Sequence, residues 1–468
     1  MQSVPTLRRL ANIIADSVAT MEHVYEDAGM PLPSLDEPFN PKDPAEALRQ
    51  DPKVSDAVKN LIAAAAQITA TVCDPMRVAV NTSHAFHLSS CLLAASDLNV
   101  TEILREAGPK GTDARDIAAS SQVDPGLMAR ILRLLATHHI FREVSPGVFA
   151  NNRVSSTLDK GKPSSVLYSN RADRLLGSSG VAALAEHTAD IGGKSGVYLS
   201  DSLLNPNGVL PFNLAHQTGE AMFTWFQRPE NSYNVSRFAV AMKGTAATEP
   251  SDLIFRGFDW SLLSSNGTIV DVGGGIGHLS LTIAKRYPHL RVVNQDLAGP
   301  IELSKQYWQD NFPEHVNKQM IKFQVQDFFA PQSITDADVF LLRYILHDWP
   351  DDQAAIILEH LRAAALPTTR LVIIEKIVPF ASAEDLEASR TKAIPGASRP
   401  TAEYPLLPNW GAATADLYLY DLTMHVLLGG VERTLEGFWD VLSLSGWKLV
   451  EVHHCPGSQL SHLVAVPS

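Results

Sequence analysis

Residues 268–300 read TIVDVGGGIGHLSLTIAKRYPHLRVVNQDLAGP. The apolar run Thr268–Val272 predicts a strand, Gly273, Gly274, Gly275 and Gly277 a tight turn, His278–Arg286 a helix, and Arg291–Gln295 a second strand ending at Asp296. That is one βαβ unit with a carboxylate at the tip of its second strand. Glycines let a ligand approach the backbone, the helix start supplies directed N–H groups, and Asp296 can accept hydrogen bonds from a ribose diol. The unit predicts a site for a nucleoside-containing small molecule.

Charge narrows the choice of nucleoside. The dinucleotide fingerprint is GxGxxG, whereas this turn reads DxGGGxG, with Asp271 inside the strand end. A pyrophosphate gains little beside Asp271, because like charges repel. A cofactor with a cationic centre tolerates it, which favours S-adenosylmethionine. NAD, and a turn that serves only tight packing, are the other readings of these residues alone.

Composition sets outer bounds. The 468 residues are 45% hydrophobic and 19% charged, enough for a full core and for two domains. The net charge of -13, with no lysine or arginine cluster, argues against a nucleic-acid partner. Cys73, Cys91 and Cys455 are far apart and form no CxxC, which fits a reducing compartment. The N-terminus, MQSVPTLRRLANIIADSV, is too polar for a signal peptide, and no run of about 20 apolar residues predicts a membrane span. The expected location is cytoplasmic.

Upstream of the βαβ unit the pattern is helical. Helices are expected over Leu7–Ala28, Val54–Thr71 and Arg77–Ser96; the apolar run LIAAAAQITA in the second needs cover from this chain or from a partner subunit. Val100–Ala107, Asp113–Ala119 and Asp124–His138 follow, the last with Asp124 as N-cap and Pro125 at the first helical position. FREVSPGVFANN, residues 141–152, predicts a small hairpin, so the three helices and this wing make a winged helix. Its recognition helix offers only Arg130 and Arg133, and a helical dimerisation module explains the apolar surplus better than DNA binding. Residues 155–205, rich in serine and glycine, read either as a bridge or as a mobile segment. Phe212, His216, Phe223, Trp225, Phe226 and Tyr233, with Phe238 and Met242, read as core or as the wall of a pocket for a flat ring. A helix over Asp252–Leu263 leads into the first strand.

Downstream the α/β rhythm continues. Strands are expected at Lys322–Gln326, Ala337–Leu346 and Thr369–Val378, and helices at Ile301–Asn311 and Asp351–Ala364. Pro379–Trp410 is a proline-rich excursion without an assignment. Helices at Asp416–Leu428 and Thr434–Ser443 precede an antiparallel pair, Trp447–His453 and His462–Val466.

Three titratable residues fall near the expected cofactor edge: His347 after the fourth strand, Glu375 at the end of the fifth, and Glu432 after Gly429-Gly430. Methyl transfer from a sulfonium to a phenol needs a base for the phenolic proton, and imidazole suits that task. A carboxylate on its other nitrogen would fix the tautomer, with Glu375 and Glu432 the candidate orienters. Metal ligation by the three, and a purely structural His347, are the competing readings. Asp348 could orient a cofactor amine or cap the following helix.

The chain resembles the plant- and fungal-type S-adenosylmethionine-dependent O-methyltransferases that act on small aromatic molecules, especially the fungal secondary-metabolite branch. The matching segments are VDVGGGIGHLSLTIAKRYP, the DL of QDLAGP, the DFF of VQDFF, LLRYILHDWPDD, IIEKIVP and LLGGVERTLEGFWDVLSLSGW, with the wing at FREVSPGVFA. The resemblance implies an α/β class I methyltransferase (Rossmann-like) domain, residues 166–468, after an all-α winged-helix dimerisation domain, residues 1–165. It implies that Gly273 lines the methionine part of the cofactor, Asp296 the ribose, and Asp327 with Phe328 the adenine. His347 would be the general base, flanked by Glu375 and Glu432, with no metal. It also implies a homodimer whose N-terminal helices complete the partner's pocket, a phenolic or polyketide-like acceptor, and Met242 near that acceptor.

The sequence departs from the family pattern in three places. Arg343 stands where many plant members carry a lysine touching the adenine end, while the 379–410 insert, longer than the plant pattern, and the extended N-terminus would both reshape the acceptor pocket. Some fungal relatives keep the cofactor site but catalyse pericyclic ring closure without methyl transfer, the cofactor acting as a placed positive charge. The intact His347, Glu375 and Glu432 set favours methyl transfer.

Overall fold

A computed structural model describes residues 3–247, 249–382 and 390–468. The chain divides into two compact units, Met1–Glu249 and Pro250–Ser468.

In the first unit α1 (Ser3–Asp27) packs on α2 (Pro52–Val72). Cover of the α2 apolar run is partial: Ala63 and Ala64 are buried, whereas Ile62 is exposed. The single helix expected over Arg77–Ser96 is two, α3 (Pro75–Ser83) and α4 (Phe86–Asp97). The break follows Thr82 and Ser83, whose hydroxyls donate back to the carbonyls of Val78 and Val80 at 2.9 and 2.7 Å and compete with the helical ladder.

The winged helix is built as expected from α5 (Val100–Ala107), α6 (Ala114–Ala119) and α7 (Pro125–Thr137). Asp124 Oδ1 accepts the Leu127 N–H at 2.7 Å and starts α7. The wing has one strand more than the sequence predicted: β1 (Thr112–Asp113), β2 (Arg142–Ser145) and β3 (Val148–Ala150) pair antiparallel in the order β1-β3-β2. Leu104, Ile117, Leu132, Leu135, Phe141 and Phe149 fill its core. Arg133 is paired with Glu143 of the wing at 3.2 Å.

The serine-rich stretch after the wing is held by buried charge. Arg174 Nη2 donates to Glu186 Oε2 and Asp97 Oδ1, each at 2.6 Å, and Ser96 Oγ donates to Glu186 Oε1 at 2.7 Å. Glu186 lies on α8 (Val181–His187), which packs against both α4 and α9 (Ser232–Ala247). These contacts tie α8 and α9 to α4 within the first compact unit, which ends at Glu249.

The second unit is a seven-stranded sheet. Its strands are β4 (Thr268–Val272), β5 (Arg291–Asp296), β6 (Ile321–Val325), β7 (Val339–Arg343), β8 (Arg370–Lys376), β9 (Trp447–His454) and β10 (Leu460–Pro467), in the order β6-β5-β4-β7-β8-β10-β9. The first five are parallel, and β10 runs antiparallel to β8 and β9. Strand order reverses between β4 and β7, and a crevice opens beyond the carboxyl ends of strands at such a switch point. α10 (His278–Arg286), α11 (Ala298–Asn311), α12 (Asp351–Ala364), α13 (Ala415–Leu428) and α14 (Leu435–Leu444) complete the unit.

Two local readings change. Asp252–Leu263 forms two short 3₁₀ turns, Leu253–Phe255 and Trp260–Leu262, instead of a helix. Gly257 lies between them, where a Cβ would run into the His462 ring. In the 379–410 insert, residues 383–389 lie outside the described residues, and the stretch around Pro395 and Gly396 lies against β9 at the sheet edge. Pro395 O accepts the Val452 N–H at 2.9 Å, and Arg399 Nη1 donates to Ile377 O at 2.6 Å. An uncovered edge would present unpaired backbone groups for aggregation.

Candidate active site

The carboxyl ends of β4, β5, β7 and β8 assemble two adjoining groups of side chains. At the β4 turn Gly273, Gly275 and Gly277 have φ of 67, 59 and 73°, a region costly for other residues. A Cβ at Gly273 would press on Ile345 and approach Phe328, so only glycine permits that close packing. Asp296 Oδ2 accepts the Gly275 N–H at 2.8 Å and its Oδ1 the Leu297 N–H at 2.7 Å. Each oxygen keeps a lone pair for another donor. Burial raises the Asp296 pKa, and these two N–H groups oppose the rise. Asp271 is buried, with Oδ2 unpartnered among the described residues; burial, together with the Asp296 charge, pushes it up to about 6 against hydrogen bonds from Ser280.

The remaining expected cofactor residues ring the same turn. Phe328 packs edge-on to Phe329 and Trp349, with centroids 5.1 and 6.0 Å apart, and Asp327 Oδ1 accepts the Phe329 N–H at 2.9 Å. Arg343, at the end of β7, places Nη1 3.2 Å from His278 Nε2 and its guanidinium 5.2 Å from the Tyr344 ring centroid.

The second group centres on His347, in the short 3₁₀ turn Leu346–Asp348 after β7. Its Nδ1 lies 2.9 Å from Glu432 Oε1. A carboxylate only accepts, so Nδ1 carries a hydrogen, and in the neutral ring Nε2 is the nitrogen with the lone pair. Glu375 acts on the backbone: its Oε1 accepts the N–H groups of Ile345, Leu346 and His347 at 3.0, 2.6 and 3.3 Å. Glu432 is fixed in turn by its own N–H, which donates to Asp421 Oδ1 at 2.9 Å. Arg433 straps the segment to the turn by donating to the carbonyls of Leu346 and Trp349. Burial alone would lower the His347 pKa, but Asp348, Glu432 and Glu375 more than offset it and push it up to about 9.

The sequence singled out His347, Glu375 and Glu432, and the structure brings the three together. It missed Lys376, Tyr344, Asp421 and Arg433, and it left Asp348 open; Asp348 Oδ1 lies 3.5 Å from His347 Nε2. Adjacency in IIEKIV and VERT was the only signal for Lys376 and Arg433. Among the described residues no group of three or more His, Cys, Asp or Glu side chains is arranged to hold a metal ion.

Comparison with known proteins adds an independent line. Residues 197–407 match the O-methyltransferase domain family, and residues 80–161 the O-methyltransferase dimerisation domain. An O-methyltransferase of Armillaria gallica is 40% identical over 475 residues, covering 99% of each chain. The 4-O-methyltransferase 1 of Phanerochaete chrysosporium is 36% identical over 472 residues, again covering 99% of each. The chain belongs to the S-adenosylmethionine-dependent O-methyltransferases. Its fold is also that of the solved structure of a pericyclic reaction enzyme, at TM-score 0.64 and 19% identity, covering 90% of this chain and 97% of that one.

The methyltransferase therefore uses S-adenosylmethionine, and the β4 turn fits it. Two carboxylates, one with an unpaired buried oxygen, suit a cationic cofactor better than a pyrophosphate, and the glycine cradle leaves the backbone approachable. Gly273, Asp296, Asp327, Phe328 and Arg343 all lie at carboxyl ends of the strands or in the turns that follow them. The dimerisation domain supports the expected homodimer. No helix among the described residues is long and apolar enough to cross a membrane.

Proposed function

We propose that this methyltransferase methylates a phenolic or polyketide-like hydroxyl, with His347 as general base. The observation that carries the reading is the 2.9 Å contact from His347 Nδ1 to Glu432 Oε1, which orients the ring so that Nε2 is the nitrogen that takes a proton once the ring is neutral. Bound S-adenosylmethionine supplies an electrophilic methyl group on a sulfonium. Nε2 accepts the hydroxyl proton as the oxygen attacks, Glu432 stabilises the imidazolium that forms, and Glu375 holds the turn that carries the ring. Gly273, Asp296, Asp327, Phe328 and Arg343 are the proposed cofactor contacts.

The first unit by itself carries an aromatic cluster, of a kind that can face a flat ring. His216 and Trp225 have centroids 4.9 Å apart, Phe212 and Trp225 5.6 Å, and Phe223 and Phe238 5.7 Å, while Phe223 and Met242 stay exposed. Cys73, Cys91 and Cys455 form no disulfide among the described residues, which suits a reducing compartment, and we place the enzyme in the cytosol.

The test is product mass with methyl-labelled cofactor and a phenolic substrate panel. One methyl gained per demethylated cofactor released is expected, and His347→Ala should abolish it while cofactor affinity stays within about twofold. A rearranged, unlabelled product with intact cofactor would identify ring closure instead, and an active His347→Ala enzyme would remove His347 as the base.

A further inference from the structure

Lys376 follows Glu375 on β8, and none of the roles above uses it. Its Nζ lies 3.9 Å from Glu432 Oε1, the oxygen that faces His347 Nδ1 at 2.9 Å. The same ammonium sits 3.4 Å from the ring centroid of Tyr420 on α13 and 5.8 Å from that of Tyr344, and the residue is 5% exposed. A buried ammonium persists where carboxylate charge and aromatic faces repay its lost hydration, and this seat provides both. Tyr344 in turn packs on the His347 ring, with centroids 5.2 Å apart.

The charges facing His347 are unbalanced without it. Asp348 comes from the same turn, Glu375 from β8, and Glu432 from the segment before α14, where Asp421 of α13 holds its N–H. Against these carboxylates stand Lys376 and Arg433, and Arg433 is occupied by two backbone carbonyls and by Asp351 at 2.8 Å. An imidazole surrounded by anions holds its proton too tightly to act as a base near neutrality. A cation on the oxygen that orients the ring opposes that excess.

We propose that Lys376 is a positioning residue for methyl transfer: its ammonium shares Glu432 Oε1 with the His347 ring, holding the carboxylate in place and weakening the ring's hold on its proton. The inference rests on His347 being the base. Removing the ammonium makes the imidazolium more stable, so the unprotonated ring needed for catalysis becomes scarcer at any given pH below its pKa.

The experiment is the pH profile of kcat/KM for wild type, Lys376→Met, Lys376→Arg and His347→Ala. The acid limb is expected to move up by about 1 unit in Lys376→Met, about tenfold less rate along that limb, with cofactor Kd within about twofold. Lys376→Arg should return the limb toward wild type, which a packing role alone would not produce. A folded Lys376→Met enzyme with an unmoved limb overturns the inference. Should that variant fail to fold, Tyr420→Leu, which unseats the ammonium without removing it, is expected to raise the limb by less, and an unmoved limb there overturns the inference equally. Activity in His347→Ala overturns the base reading and this inference with it; an inactive His347→Ala beside an unmoved limb overturns the inference alone.

Discussion

Glu432 Oε1 faces the ring nitrogen of His347, whereas Glu375 Oε1 accepts three N–H groups of the turn that carries the ring. The two carboxylates therefore answer differently to substitution. Glu432→Gln removes a negative charge beside the imidazole, so the His347 pKa falls and the acid limb of kcat/KM moves to lower pH, opposite to Lys376→Met. The plateau rate should still drop by about 10²-fold or more, because an amide neither fixes the tautomer securely nor stabilises the imidazolium. Glu375→Ala instead strands three backbone donors and should cost about 2–4 kcal/mol in urea unfolding. Equal stability of Glu375→Ala and wild type would contradict this division. That His347, Glu375 and Glu432 would meet was legible, since Glu375 lies at a strand end, His347 just after one, and Glu432 after a glycine pair. Their division of labour was not, because it depends on rotamers and on which carboxylate reaches around the turn. Lys376 was illegible for a related reason: a lysine at the end of a strand ordinarily reads as a solvated charge.

The β4–α10–β5 unit was readable to within a residue because three signals agree there: apolar strands, glycines at positive φ, and a helix of the right period. The readings failed where local signals conflict, as at Thr82 and Ser83. The insert is the strongest case, since nothing in its composition announces that residues 394–397 will cover β9. Gly396 tests that role. Its φ is 76°, and a Cβ there would run into Val452 O. Gly396→Ala should lower stability by about 2–3 kcal/mol and speed hydrogen exchange at the Val452 amide. Gly29→Ala is the matched control: its φ is 64° with nothing within 4 Å, so backbone strain alone should cost about 1 kcal/mol. Equal losses at both sites would mean that the insert does not depend on this contact.

At the scale of the molecule, a net charge of -13 keeps copies apart unless an apolar surface draws them together. The helical unit presents such a surface. Val72 at the end of α2, Met76 and Val80 on α3, and Phe86 at the start of α4 are 66, 75, 54 and 54% exposed. Met76 and Val80 are four residues apart and so share one face of α3, which carries no buried residue in the single chain. A monomer rarely leaves so many large apolar side chains in water along one stretch, and α3 begins just ahead of the matched dimerisation domain and runs into it. Met76→Glu together with Val80→Glu would set four new charges against the same patch in a two-fold dimer, where each carboxylate loses hydration without gaining a partner. Sedimentation velocity should show the wild type as a dimer and the double variant as a monomer at micromolar concentration, with helical circular dichroism unchanged because neither side chain contributes to the core of its own chain. A double variant that still sediments as a dimer would move the interface off α3 and leave the exposure of these four residues to a different partner.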